Sequence, residues 1–223
     1  AINTTRLLAH YNTLYDDNGL TPESLNIFAD VMDSIPFIYA IYIGSNNGDL
    51  FELVNLNAHP IVRDQLGASH SDRWVIVDIK NEQGKRVRNK RFYDHQFTLR
   101  TMNSEPAEFN ATLRPWYTNA VADTVTKTEP YLFQNLQSPG ITYSIPVSQG
   151  NAVLGVDIAL SSLSDYLNRL GKNTEGDKTK EVFIFEASGD LIASNIDPIN
   201  GMAIPPSVPL QLTGAQQSLI ENT

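Results

Sequence analysis

Phe37-Ile38-Tyr39-Ala40-Ile41-Tyr42-Ile43, then Asn46-Asn47-Gly48-Asp49, then Leu50-Phe51-Glu52-Leu53-Val54: an apolar run, a polar turn and a second apolar run. β-Branched and aromatic side chains suit a pleated, half-buried surface, and Asn-Gly accepts the left-handed backbone of a tight turn, so the stretch predicts a β-hairpin. The pattern continues downstream. Residues 74–79, the turn Asn81-Glu82-Gln83-Gly84 and residues 86–93 predict a second strand, turn and strand, which makes an antiparallel meander. Further on, strands are predicted over 131–135 and 141–147 around Ser138-Pro139-Gly140, and Gln149-Gly150-Asn151 turns into a strand over 152–159.

Helices are predicted at both ends of this sheet. Ile2, Leu7, Leu8, Tyr11 and Leu14-Tyr15 recur at helical spacing over 1–15, and Thr21-Pro22-Glu23-Ser24 caps a second helix over 22–34. A short helix is expected over 116–125. Another, over 160–170, carries Leu160, Leu163, Leu167 and Leu170 on one stripe. The fold class is therefore α+β: a long N-terminal helix (helical region 1–35), an antiparallel sheet domain (36–160), and a connecting helix and linker (161–180). From Glu181-Val182-Phe183-Ile184-Phe185 through Ala187-Ser188-Gly189-Asp190 to Leu191-Ile192-Ala193-Ser194 the opening hairpin is echoed, which predicts a second copy of the same architecture at 181–223. Its proline-rich continuation, Pro205-Pro206-Ser207-Val208-Pro209, leaves too few residues for a whole sheet, so this copy is expected to be truncated.

Composition narrows the function. The chain has 223 residues, 41% of them hydrophobic and 18% charged, an ordinary globular balance. A net charge of -9 opposes binding to nucleic acid. Lys85, Arg86, Arg88, Lys90 and Arg91 do cluster, but their alternation with Val87, Asn89 and Phe92 reads as the wet face of a strand. With no cysteine, disulfides, thiol catalysis and cysteine-ligated metals are excluded. His59, His70 and His95 lack metal-ligand spacing, no Gly-x-Ser-x-Gly elbow exists, and Gly48, Gly84 and Gly189 read as turn glycines. No catalytic residue, metal or cofactor is expected. No stretch reaches the roughly 20 apolar residues that span a bilayer, so the anchors of a membrane-bound parent are expected outside these residues.

The chemistry concentrates in two places. Leu113-Arg114-Pro115-Trp116-Tyr117 sets a guanidinium, an indole and a phenol at the mouth of a helix, and Val153-Leu154-Gly155-Val156-Asp157-Ile158 puts one carboxylate in an apolar strand. Such groups are costly to bury and useful around a small polar ligand. Arg can pair two carboxylate oxygens, and indole offers one donor on a rigid plate. Structural alternatives remain open: Arg114 as a surface ion pair with Glu108, Asp123 or Glu129, and Trp116 and Tyr117 as core aromatics. Asp157, on the face opposite Val156 and Ile158, needs a partner if that face is covered.

In this order, the N-terminal helix, the meander, Arg114-Pro115-Trp116-Tyr117, Glu129-Pro130-Tyr131, the strand over 141–147, Gly155-Val156-Asp157-Ile158 and the restart at Glu181 resemble the double-Cache family, the tandem PAS-like extracytoplasmic sensors of bacteria and archaea. The resemblance implies a periplasmic portion of an inner-membrane protein that signals to a cytoplasmic effector such as a histidine kinase, a diguanylate cyclase or phosphodiesterase, or a chemoreceptor. Residues 30–160 resemble the membrane-distal module. Carried over from amino-acid-binding members, Arg114 and Trp116 hold a ligand carboxylate, Tyr117 forms the adjoining wall, Tyr131 supplies a hydroxyl and Asp157 meets the ammonium.

Two positions depart from that pattern. Phe109 stands where amino-acid binders carry tyrosine, and Leu132-Phe133 where they carry an acid. Each missing charge-assisted bond weakens binding by roughly 1.5–3 kcal/mol. The expected ligand is thus a small carboxylate, or one whose apolar tail packs on Phe109 and Phe133. The other reading is a protein-interaction module with a vestigial pocket, driven by a periplasmic partner or by homodimer contacts along the N-terminal helix.

Overall fold

In the computed structural model the chain divides into two units, Ala1–Ala159 and Leu160–Thr223. The structure describes residues 1–11, 13–16, 19–133, 136, 138–147, 151–172, 182–185 and 191–195. The first unit opens with α1 (Ile2–Ala9), a ribbon of β1 (Tyr15–Asp16) and β2 (Gly19–Leu20), and α2 (Pro22–Ser34). Then come β3 (Ile38–Ser45), β4 (Leu50–Asn55), α3 (Pro60–Leu66), β5 (Trp74–Glu82), β6 (Lys85–Tyr93) and β7 (Leu99–Pro106). After a 3-10 turn at Ala111–Leu113 the unit finishes with α4 (Pro115–Thr118), β8 (Thr126–Lys127), β9 (Tyr131–Phe133), β10 (Ser138–Pro146) and β11 (Ala152–Ala159).

Strands β3 to β11 form one antiparallel sheet in the order β7-β6-β5-β4-β3-β11-β10-β8, with β9 also on β10. The last strand, β11, sits between β3 and β10, so the opening hairpin and the closing strand share the middle of the sheet. Both faces of that middle are covered: every residue of β3, β4 and β11 is buried. Alternation sends Ile41, Ile43, Phe51, Leu53 and Val156 to one face. There α1 lies on β10 and β11, α2 on β3 and β4, and Tyr15 of the ribbon stacks on Phe51 at 6.1 Å. The other face carries Tyr42, Val54, Val75 and Val77, which pack with Val62 and Leu66 of α3, Ala111 and Trp116.

The α+β, PAS-like architecture stands, but several boundaries move. The long N-terminal helix is corrected to eight residues, Ile2–Ala9. Its continuation is drawn off by tertiary hydrogen bonds: the Leu14 carbonyl accepts from the Thr21 N–H (3.2 Å) and the Ser24 hydroxyl (2.5 Å), and the Thr13 carbonyl from the Thr21 hydroxyl (2.9 Å). The helix expected over 116–125 stops at Thr118, since Val121, Thr124 and Val125 are poor helix formers and Asp123 turns at φ 57°. Ser138-Pro139-Gly140, expected between two strands, itself begins β10 and pairs with β9.

In the second unit, α5 (Leu160–Lys172) packs against a hairpin of β12 (Phe183–Phe185) and β13 (Leu191–Ser194), with Ile184 opposite Ala193. Leu163 and Leu167 of the expected stripe are buried and Leu170 is exposed. The expected turn over 187–190, Glu181, Gln149-Gly150 and the proline-rich 205–209 lie outside the described residues. No described helix is long and apolar enough to cross a membrane.

Candidate ligand-binding site

A cavity opens over the second face of the sheet. It holds about 570 Å³ of empty space, its mouth included, and is lined by side chains of β3, β4, β5, β6, β9 and β11 and of the segment 109–116. Register explains the lining. Tyr42 pairs with Gly155 on one side and Glu52 on the other, Glu52 pairs with Val77, and Asp157 pairs with Thr142 and Ala40, so all of these share a face. Tyr39 joins them through a bulge. The β3–β11 register slips between Asp157–Ala40 and Ile158–Ile38, which leaves Tyr39 as the extra residue, turned to the side of Ala40.

Three aromatic rings lie directly on glycine backbone: Tyr42 on Gly155, Trp116 on Gly44 and Phe133 on Gly140, each so close that a Cβ there would overlap the ring. Trp116 also meets Tyr42 edge-on at 4.8 Å between centroids. The segment that carries Arg114 and Trp116 is tied to the β3–β4 turn. The Gly48 carbonyl accepts from the Ala111 N–H (2.9 Å) and from the Arg86 guanidinium, which also donates to the Phe109 carbonyl (2.5 Å) and pairs with Asp49 (3.2 Å). Pro115 at the first position of α4 then starts one helical turn that lowers Trp116 onto the sheet.

Asp157 is 6% exposed, and its Oδ1 accepts from the Tyr42 hydroxyl (2.8 Å) and the Thr142 hydroxyl (2.6 Å). With its proton committed to Asp157, Thr142 Oγ1 accepts from Tyr131 (2.7 Å), which makes a relay of three hydroxyls around one carboxylate. Burial pushes the Asp157 carboxyl up to about 7, against the opposing pull of those hydrogen bonds and of the Arg114 charge. The Tyr42 hydroxyl is held well above its ordinary value by burial and by the Asp157 charge.

Arg114 is half-buried and makes none of the ion pairs with Glu108, Asp123 or Glu129 that the sequence left open; its guanidinium lies over the Phe109 ring at 5.6 Å. Six of the seven residues singled out from sequence line this one cavity: Phe109, Arg114, Trp116, Tyr131, Phe133 and Asp157. Tyr117 does not; its ring packs edge-on behind Trp116 at 5.8 Å. Seven lining residues were not singled out as site residues: the apolar Leu50, Val77 and Ile79, and Tyr39, Tyr42, Glu52 and Arg88, which carry polar groups. Arg88 corrects the reading of the basic alternation as a wholly wet face, because its side chain is 18% exposed and borders the cavity. Glu52, 6% exposed, is pushed up to about 8 by burial and by the Asp157 charge, with Arg88 pulling the other way.

No family model matches the chain. Over 101 residues, 44% of its length, it is 31% identical to the methyl-accepting chemotaxis protein PctB of Pseudomonas aeruginosa, of which it spans 15%. The ligand-binding domain of the Campylobacter jejuni chemoreceptor Tlp3, solved with 4-methylisoleucine, is 18% identical with a TM-score of 0.47, over 92% of this chain and 64% of that one. That of the Pseudomonas fluorescens chemoreceptor CtaA, solved with L-serine, is 17% identical with a TM-score of 0.39, over 86% and 59%. The chemistry of the first unit rests on its own cavity.

Proposed function

We propose that this chain is the extracytoplasmic sensor portion of a membrane protein, and that its Cache module binds a small amino-acid-like ligand and passes the signal to a cytoplasmic effector. The observation that carries the reading is the placement of a guanidinium without an ion pair among the described residues, Arg114, and a buried carboxyl, Asp157, on one cavity walled largely by aromatic rings. Two opposite charges presented to one cavity fit a zwitterion: Arg114 and the Trp116 indole take the carboxylate, and Asp157, oriented by Tyr42 and Thr142, takes the ammonium. The match to a chemotaxis receptor supports a sensor in preference to an enzyme.

In this reading the parent is anchored by helices outside these residues. Ligand that binds one conformation a hundredfold better than the other supplies about 2.7 kcal/mol of bias toward the signalling state.

The test is a thermal-shift screen of the purified chain with amino acids, small organic acids and amines. A ligand at a hundred times its Kd stabilises by about 2.7 kcal/mol, a rise of a few degrees for a domain of this size. The rise is expected to vanish in Arg114→Ala and Asp157→Asn. No shift with any compound, from a protein that melts cooperatively, would favour the interaction module with a vestigial pocket.

A further inference from the structure

Away from Asp157, the cavity contains a second set of polar groups whose bonding is incomplete. Glu52 projects from β4 in the middle of the sheet and receives no hydrogen bond among the described residues. The hydroxyl of Tyr39, a residue 2% exposed, also has no partner among the described residues, nor does the buried Nε of Arg88. All three residues line the cavity. A buried carboxyl without a hydrogen bond is costly, and the pairing it lacks is the kind a ligand supplies. The cation nearest in role, Arg88, is already engaged: its terminal nitrogen holds Glu105 at 3.2 Å.

We propose that Glu52 and Tyr39, bordered by Arg88, form a second polar subsite that takes a positively charged nitrogen at the far end of the ligand, so that the preferred ligand is a dibasic amino acid. This rests on the amino-acid reading of Arg114 and Asp157 and adds the side chain to it. Asp157 and Glu52 stand on strands two apart, with β3 between them, and are offset by two residues along it, Asp157 opposite Ala40 and Glu52 opposite Tyr42, roughly 12 Å in all. The two acidic side chains cover part of that span, and a chain of four or five carbons between two nitrogens covers the rest. The apolar tail expected on Phe109 and Phe133 is thereby replaced by a chain whose stem runs along aromatic walls and whose tip is charged.

A proton accompanies this event. The titratable and charged groups that line the cavity with Glu52 are Asp157 from β11, Tyr39 and Tyr42 from β3, Arg88 from β6, Tyr131 from β9 and Arg114 from the segment before α4. In the empty cavity Glu52 holds its proton at pH 7, since burial and Asp157 raise its carboxyl to about 8. An incoming cation favours the ionised form, so binding releases that proton to the buffer and tightens as the pH rises from 6 to 8.

Calorimetric titration with L-lysine, L-ornithine and L-norleucine tests this, because norleucine matches the lysine carbon chain without its terminal nitrogen and keeps the Arg114 and Asp157 contacts. The wild-type chain is expected to bind lysine or ornithine about tenfold or more tighter than norleucine, with greater proton release. In Glu52→Leu the preference should invert while norleucine still binds, and Glu52→Gln should lose the excess proton release. Equal affinity for norleucine, or an unchanged preference in both variants, overturns the second subsite and leaves the amino-acid site standing. If none of the three amino acids binds, the amino-acid reading falls and takes the subsite with it.

Discussion

Asp157 and Glu52 are two acids on one sheet face, each 6% exposed, and they are treated in opposite ways. Around Asp157 the protein has built an acceptor already aimed: two hydroxyls fix one oxygen, a third hydroxyl stands behind them, and Arg114 balances the charge. Around Glu52 it has built walls, with Tyr42 and Val77 as cross-strand neighbours and no donor to the carboxyl among the described residues. A pre-organised group costs little to use and selects by geometry. A group left short of partners costs stability until something fills the vacancy, so it selects by charge.

The largest expected effect tests the cost of the Glu52 end. Its carboxyl is raised from 4.5 to about 8 on folding, and that of Asp157 from 3.8 to about 7. A carboxyl whose folded value lies above its unfolded value contributes stability that is full below the unfolded value and lost as pH rises through the folded one. The ligand-free chain should therefore lose on the order of a few kcal/mol between pH 5 and pH 8.5, read from urea midpoints. Glu52→Gln should remove the larger part of that loss. Asp94 and Glu105, whose carboxyls are lowered by hydrogen bonds to Thr98 and to Lys90, act below this window. Stability that rises across it would contradict the account.

Next in size is Arg114→Ala, which removes the cation facing Asp157. Affinity for an amino acid should fall about thirtyfold or more by calorimetry, the worth of one or two charge-assisted bonds. The melting temperature without ligand should hardly change, because Arg114 makes no salt bridge among the described residues. Thr142→Val is smaller and strikes the opposite way. It keeps the shape, takes one donor from Asp157 and leaves Tyr131 without its acceptor, so the empty protein should lose about 1–2 kcal/mol in urea melts. The smallest effect is that of Tyr117→Phe: the ring packs behind Trp116 and the hydroxyl does not line the cavity, so ligand affinity should stay within about twofold by calorimetry.

The same two acids show what the sequence could and could not reveal. Asp157 is legible because an acid within Val-Leu-Gly-Val-Asp-Ile breaks an apolar run, and once the strand is placed its face follows. Glu52, within Leu-Phe-Glu-Leu-Val, carries the same signature and was legible on the same ground. Tyr39 was not, since alternation along β3 sends it away from Tyr42 and only the bulge against β11 brings it back. Arg88 depends on which face of β6 meets the cavity, a matter of register with β5.

Among the elements, β11 is legible at its own boundaries because its residues form an apolar run, all of them buried, and the sequence before it, Gln149-Gly150-Asn151, is polar. Strand β7 offered no comparable signal: all eight of its residues are exposed, and Leu99-Arg100-Thr101-Met102 lacks apolar alternation. The end of α1 was set by hydrogen bonds from Thr21 and Ser24, groups a dozen residues away that helical periodicity does not register.

The central claim, that the cavity under Trp116 is where ligand binds, is tested most directly by the chain's two tryptophans. Trp74 lies under the Arg73 guanidinium at 3.6 Å and stacks on Phe97, with no part in the cavity lining; Trp116 forms one of the cavity walls. Their indole N–H resonances, followed by NMR as the amino acid of largest thermal shift is added, should separate. Trp116 should move saturably with the calorimetric Kd while Trp74 stays in place, and Trp116 should not respond in Arg114→Ala. Saturable binding that leaves Trp116 unmoved, or moves both resonances alike, would place the ligand elsewhere and contradict the account.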